Sequence, residues 1–372
     1  MPARPAIIVF TGSPGPGIIT AASAAALAAA QSGQHTLLMS LAPAHSLEAL
    51  LATQLGADPV EVAPRLDALA LDPTAELGRV WERFRGQLPS QLARLAADEL
   101  PLLPGIAVLF GLLRMQELGE RYQRMVIDAG ASDALIQTLM LPDTMRWLVR
   151  LLIGLDRGPG RSAASQMQSI LPAGFLPSGV VNGAQDTRLE AERIRGALTE
   201  TGAAGVCFVV RPDAVALAEA RLAVAAIQLY GLGVSALAVG PLLPEAGPIA
   251  ALQQSVLAET HATWASRPVL RLHAPEQHGL AGLRPVADAF DLAAIVPQAQ
   301  SPIADTYNGT PALVIALPGL PKGALALTLS GDELVVRVGH YRRHVLLPDG
   351  LRGITSIRAI RDGEALVVRR RE

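Results

Sequence analysis

Residues 6–10, AIIVF, run unbroken into a Gly/Pro loop, Gly12-Ser13-Pro14-Gly15-Pro16-Gly17, and then into an alanine-rich stretch. An unbroken apolar run ended by turn formers predicts a strand buried on both faces. The alanine-rich stretch predicts a helix, with Gly33 as its C-terminal cap. Residues 35–41, HTLLMSL, predict the next strand. This β-loop-α-β unit points to a parallel sheet covered by helices on both sides.

The alternation continues along the chain. RMVIDAG, residues 124–130, predicts a buried strand carrying Asp128. Residues 205–210 predict a strand, 213–230 a helix and 234–239 a strand. Helical patterns occupy residues 76–118, broken at Pro89, Pro101 and Pro104, and residues 134–155, after which GLDRGPGRSAAS reads as a loop. The α/β pattern ends near Phe290, and the Pro-, Ser- and Gly-rich residues 298–310 read as a linker. Beyond it ALVIALP, ALALTLS, ELVVRVG, YRRHVLLP and ALVVRR, separated by turn signals, predict a small antiparallel β-sandwich. The expected organisation is an α/β domain over residues 1–297, with a helical subdomain at about 76–123 and 134–175, and a sandwich over 311–372.

Composition narrows the functional classes. Half of the 372 residues are hydrophobic and 3% aromatic, so the core must be built from small and branched aliphatics. The formal net charge of −2 gives no global attraction to nucleic acid or anionic membrane. The C-terminal arginines, among them Arg337, Arg342, Arg343, Arg369 and Arg370, have only Tyr341 as an aromatic neighbour and read as solvated strand faces. Cys207 is the single cysteine, which excludes an intrachain disulfide or a cysteine zinc site; within GVCFVV it reads as a buried thiol in a reducing, cytoplasmic setting. His35, His45, His261, His273, His278, His340 and His344 show no HExxH or Cys/His metal spacing. No signal peptide is expected, and no integral membrane segment: residues 18–30 are mostly alanine and include Thr20 and Ser23.

The glycines of the first loop carry the chemical question. A P-loop reads GxxxxGK[ST]: backbone N–H groups wrap phosphates, the lysine neutralises them and the hydroxyl holds Mg²⁺. Gly12 and Gly17 keep the glycine frame between strand and helix, but Ile18 stands at the lysine position and Ile19 at the hydroxyl position. Pro14 and Pro16 each remove a backbone donor.

Four separated segments resemble the ArsA ATPases and the related targeting factors for tail-anchored membrane proteins. APAHSLEALL, starting at Ala42, resembles the family's DPAHS segment. VIDAG with SDALIQTLMLPDTMRWLVR looks like its second switch. RPDAVALAEARLAVAAIQLYGLGVSALAVGPLLP resembles a third motif, and the C-terminal block is similar to the α-crystallin-like domain that some members carry. The resemblance implies a mostly parallel P-loop-type sheet, ATP and Mg²⁺ as family cofactors, and dimers. It places a vestigial nucleotide site at Gly12, Ser13, Gly15, Gly17, Thr20 and Asp128.

The departures from that pattern imply that hydrolysis is lost. Ser13 replaces a lysine that crosses the family's dimer interface, Ile18 the P-loop lysine, Ile19 the magnesium threonine, Ala42 the aspartate that positions water, and Gly240 the adenine-reading asparagine. Phosphoryl transfer rests on positioned charge, so no residue is expected to be catalytic and ATP binding is expected to be weak or lost. Relatives that target membrane proteins hold hydrophobic clients on the helices equivalent to the apolar sets here. Trp81, Phe84, Leu109, Phe110, Leu113, Met140, Met145 and Trp147 are therefore groove candidates, against plain core and dimer packing. The expected function is a non-hydrolysing scaffold or chaperone-like binder, pairing with itself or an active paralogue and holding a hydrophobic helix; the alternative is an ATPase that retains nucleotide binding, and a third reading is a small-molecule binder using the vacated pocket.

Overall fold

Each central strand feeds two cores. The computed structural model describes residues 5–15, 17–42, 44–87, 93–100, 106–153, 196, 198–200, 202, 204–243 and 247–371. In β1 (Ala6–Gly12) Val9 packs into one core while Ile8 and Phe10 pack into the other. In β2 (Thr36–Ser40) and β5 (Arg124–Ala131) the same alternation sends Leu37, Met39, Met125 and Ile127 one way and Leu38 and Val126 the other. Burial on both faces is why these strands read as unbroken apolar runs rather than as alternating ones.

The large sheet has eight strands in the order β3-β4-β2-β5-β1-β6-β7-β8. Its remaining members are β3 (Val60–Ala63), β4 (Leu66–Ala70), β6 (Ala204–Val210), β7 (Val234–Leu242) and β8 (Val269–His273). Only the edge strand β3 is antiparallel to its neighbour; the other pairs are parallel. One face is covered by α1 (Gly17–Gln31), α2 (Ala44–Leu51) and α8 (Leu280–Asp288). The other carries α4 (Ile106–Leu118), α5 (Ser132–Ile153), α6 (Ala214–Leu229) and α7 (Pro248–Thr263), with α3 (Pro73–Phe84) beside α4.

α1 is buried at 13 of its 15 residues, so it has no solvent face, and its alanines let it lie close to the sheet. Gly33, at φ +89°, ends it as the sequence predicts. α6 starts at Asp213, whose carboxylate accepts from the Ala216 N–H at 2.8 Å. The strands β3, β4 and β8 add to those expected from sequence. Residues 154–175 of the expected helical subdomain lie outside the described residues.

The C-terminal part forms two antiparallel sheets. One has the order β14-β15-β10-β9 and the other β11-β12-β13. The strands are β9 (Ile303–Tyr307), β10 (Thr310–Ala316), β11 (Leu325–Ser330), β12 (Glu333–Val338), β13 (Tyr341–Leu346), β14 (Ile357–Asp362) and β15 (Ala365–Arg370). Five of these match the expected strands. β9 corrects the expected linker over residues 298–310, because its residues hydrogen-bond to β10 in register, Ile303 opposite Ile315. β9 and β14 are edge strands with mostly exposed side chains, so neither shows an apolar run.

Candidate functional site

β2, β5 and β1 are neighbours in the sheet, and the chain leaves all three at the same edge. In open parallel sheets the carboxyl ends of the strands are where ligands bind. The loops here enclose a cleft of about 590 Å³. Its walls come from Gly15, Ile18, Ile19 and Thr20 at the start of α1, and from Ser46, Ala49 and Leu50 on α2. Pro14, Ala42, Asp128, Gly130, Ala131 and His278 complete it.

Three of the six expected site residues, Gly15, Thr20 and Asp128, line this cleft. Gly12, Ser13 and Gly17 pack beside it against β6 and β7. A Cβ at Gly12 would lie 2.0 Å from the Val209 carbonyl oxygen, and one at Gly17 would lie 2.8 Å from the Gly240 carbonyl oxygen. The Ser13 N–H donates to that same Val209 oxygen at 2.8 Å, so it faces the sheet rather than a phosphate. Gly15 alone has an unusual backbone, φ +145°, with nothing within 4 Å of an added Cβ. The glycine frame is thus accounted for by strand packing and one special φ, with no phosphate required.

Ile18 and Ile19 are 3% and 8% exposed and belong to the core beneath α1 while lining the cleft. The loop therefore presents a triphosphate with hydrocarbon at the two positions where a P-loop has its cation and its metal-binding hydroxyl. Arg211 reaches the loop, but its guanidinium donates to the Pro14 carbonyl at 3.2 Å and pairs with Asp213, and it does not line the cleft. Gly240 cannot be exchanged for a larger residue without movement, since a Cβ there would lie 2.3 Å from the Leu272 carbonyl oxygen of β8.

Asp128 is 1% exposed, between Phe10 of β1 and Ser40 of β2. The Ser40 hydroxyl donates to its Oδ2 at 2.8 Å and the Gly130 N–H to its Oδ1 at 3.0 Å. Thr11 ties the same turn by donating from Oγ1 to the Gly130 carbonyl at 2.9 Å. Burial holds the Asp128 carboxyl above the usual carboxylate range; the two hydrogen bonds oppose that, and among the described residues no cation offsets it. An acid raised in this way adds stability below its unfolded pKa and loses it as pH rises through the folded value. Asp128→Asn keeps the shape and removes the titration. In thermal melts the variant should gain on the wild type as pH rises above the ordinary carboxylate range. A gap that stays constant with pH would mean that Asp128 is not the titrating group.

Ser40, Gly130, Ser46 and His278 were not among the expected site residues. His278 follows β8, a strand the sequence reading left unassigned, and Ser40 is simply the last residue of an apolar strand.

The groove candidates lie away from this cleft. Phe110 is 4% exposed and is part of the core, and Leu113 and Met140 pack partly buried against that core. Trp81 is half-buried, and its indole N–H donates to the Leu95 carbonyl at 3.0 Å. Phe110 and Leu113 are shared between that core and the wall of a second cleft. The side chains of Phe84, Leu109, Met145 and Trp147 lie outside the described ones. That second cleft, about 490 Å³, runs between α3 and α4, and its apolar walls Val80, Phe110 and Leu113 are rimmed by charge. Arg114 pairs there with Glu117 at 2.9 Å and with Asp58 at 2.7 Å, and Arg83 with Glu117 at 3.4 Å.

Among the described residues no group of three or more His, Cys, Asp or Glu side chains is placed to hold a metal ion, and no helix is long and apolar enough to cross a membrane. Cys207 is fully buried in β6, and burial pushes its thiol well above the ordinary value.

Comparison with known proteins places this geometry. A family described as Anion-transporting ATPase matches residues 5–288, and an HSP20-like domain found in ArsA matches residues 308–369. A Putative arsenical pump-driving ATPase of Prosthecochloris vibrioformis is 27% identical, over 94% of this chain and 91% of its own length. Protein Rv2184c of Mycobacterium tuberculosis is 31% identical, over 99% of this chain and 96% of its own. An ATPase ASNA1 homolog 1 of Paramecium tetraurelia is 27% identical over 44% of this chain and 51% of its own. With a sheet and a C-terminal sandwich that agree with the match, the chain belongs to the ArsA family of anion-transporting ATPases and carries the HSP20-like domain found in that family.

Proposed function

We propose that this chain is a non-hydrolysing member of its family that works as a scaffold or chaperone-like binder rather than through ATP turnover. The supporting observation is the cleft itself: hydrocarbon from Ile18 and Ile19 lines it, and among the described residues Asp128 is its carboxyl and is buried without a lysine or arginine beside it. These residues do not fit magnesium triphosphate. Placing several negative charges against isoleucine, with no lysine or arginine among the described lining residues to offset them, has a large desolvation cost. Ala42 offers no carboxylate to orient an attacking water. The proposed partners are a second copy or an active paralogue, and a hydrophobic helix as client. Both follow from the family rather than from an exposed groove.

The test is phosphate release from ATP with Mg²⁺ by purified protein. The expected result is no release above a buffer blank. Magnesium-dependent turnover that survives rigorous purification and disappears in Asp128→Asn would sink the reading. Co-purification of a second copy or a paralogue, unaffected by added ATP, is the expected result for the partner.

A further inference from the structure

The cleft that no longer suits a nucleotide is still open, and its chemistry is one-sided. Ile18 and Ile19 from α1 face Ala49 and Leu50 from α2, and Asp128 is the acid among the lining residues. Among the described residues no lysine or arginine lines it, and its basic side chain is the imidazole of His278. Its volume of about 590 Å³ lies in the range of roughly 300–1,000 Å³ typical of small-molecule sites, which are usually apolar with a few polar groups that fix orientation.

We infer that this cleft binds a compact apolar amine: a hydrocarbon body seated between α1 and α2, with its amino group donating to Asp128. The inference deepens the non-hydrolysing reading and rests on it in one respect, that the site is not filled by ATP. Each carboxylate oxygen of Asp128 already accepts one hydrogen bond, from Ser40 and from the Gly130 N–H, and each has a lone pair left for a further donor. Burial alone favours the neutral acid; a cationic amine in contact draws Asp128 into its charged form, whereas an anion holds it neutral. The isoleucine and leucine walls reward hydrocarbon contact with the rest of the ligand. The two features together select against phosphates and carboxylates, and for an amine over a neutral molecule of the same shape.

Three probes of one skeleton separate these effects: naphthylmethylamine, naphthalenemethanol and naphthaleneacetate, titrated by calorimetry against the full-length protein. The expected order is amine, then alcohol, then acid, with about tenfold between amine and alcohol, the spread that one buried charge contact implies. Asp128→Asn should bring amine and alcohol to within about twofold of each other. Ala49→Trp, at an exposed position on α2, should fill the cleft and remove binding of the amine and the alcohol without changing the melting temperature. An acid that binds as tightly as the amine overturns the inference. So does an amine preference that survives Asp128→Asn, or amine binding that survives Ala49→Trp. Absence of amine binding at about 1 mM overturns it too. ATP with Mg²⁺ is titrated separately. ATP binding with the amine order intact would count against the nucleotide-loss reading alone, and loss of both would count against the amine site alone.

Discussion

Gly12→Ala should cost at least about 3 kcal/mol of stability, a large part of the margin of a typical domain. Gly12 ends β1 in the middle of the large sheet, in register with Val209 of β6 on one side and Ala131 of β5 on the other. The added methyl would lie 2.0 Å from the Val209 carbonyl oxygen and 2.7 Å from its nitrogen. Both are backbone atoms of a strand that is itself fully enclosed, so no side-chain rotation relieves the overlap. The alternative is to move β1 away from β6, which breaks the Ser13 to Val209 hydrogen bond and opens both cores. Gly15→Ala is the control from the same loop. It meets no atom within 4 Å and carries only the strain of φ +145°, about 1–3 kcal/mol. Urea unfolding of both variants measures the difference. A Gly12→Ala protein within about 1 kcal/mol of the wild type would show that the glycine is not held by strand packing.

The loop was the part of the site most legible in the sequence, and its meaning was the least legible. Glycine spacing between an apolar run and a helix identified the strand-loop-helix unit, because strand burial on both faces and a Gly-rich turn are both local signals. What the glycines are for is a long-range matter. Gly12 answers to Val209 and Gly17 to Gly240, each about two hundred residues away in the chain, and no local pattern encodes that. Asp128 was found because it ends a strong strand, but its partner Ser40 was not, since the contact depends on β2 and β5 being neighbours.

Other misses have equally specific causes. β4 and β8 are five residues each and are interrupted by Asp67 and Arg271, so their apolar signal is weak. β9 and β14 expose most of their side chains, and β9 lies in a segment whose Pro, Ser and Asn content resembles a linker. The apolar density of the helices was legible, but its direction was not. Phe110 faces the core and Trp81 is anchored to Leu95, contacts that only the packing of α3 and α4 determines. α6 carries a signal that is readable in the sequence. Leu217, Ala220, Val224 and Ile227 form one apolar stripe, packed on the sheet, while Leu222, Ala225 and Leu229 form a second on the opposite side. Two stripes at 3–4 spacing mean a helix buried between two layers.

That second stripe leads to the other large effect. A chain ending at residue 297 should fold poorly, with a melting temperature lower by more than about 10 °C or with aggregation. The sandwich is not an appendage joined by a loose linker. Ala225 and Leu229 of α6 are 0% exposed and are members of the core of the sandwich itself. Gly319 lies against the Trp264 ring, which is also fully buried. Polar contacts reinforce the seam: Tyr230 donates to the Arg342 carbonyl at 2.7 Å, Arg267 to Glu364 at 3.1 Å, and the Tyr341 hydroxyl to Asp133 at the start of α5. Removing the sandwich exposes Leu222, Leu229 and Trp264 together, at about 1.5–3 kcal/mol for each large side chain. That sum is comparable with the whole stability of a domain, about 5–15 kcal/mol. It also leaves an apolar patch of the kind that promotes association. The isolated sandwich loses Ala225 and Leu229 from its own core, so it should be weakened as well. Thermal melts of the full chain and of residues 1–297, with light scattering to follow aggregation, measure the effect. A truncated chain that melts at the temperature of the intact protein and stays monomeric would mean that the two layers on α6 do not support one another.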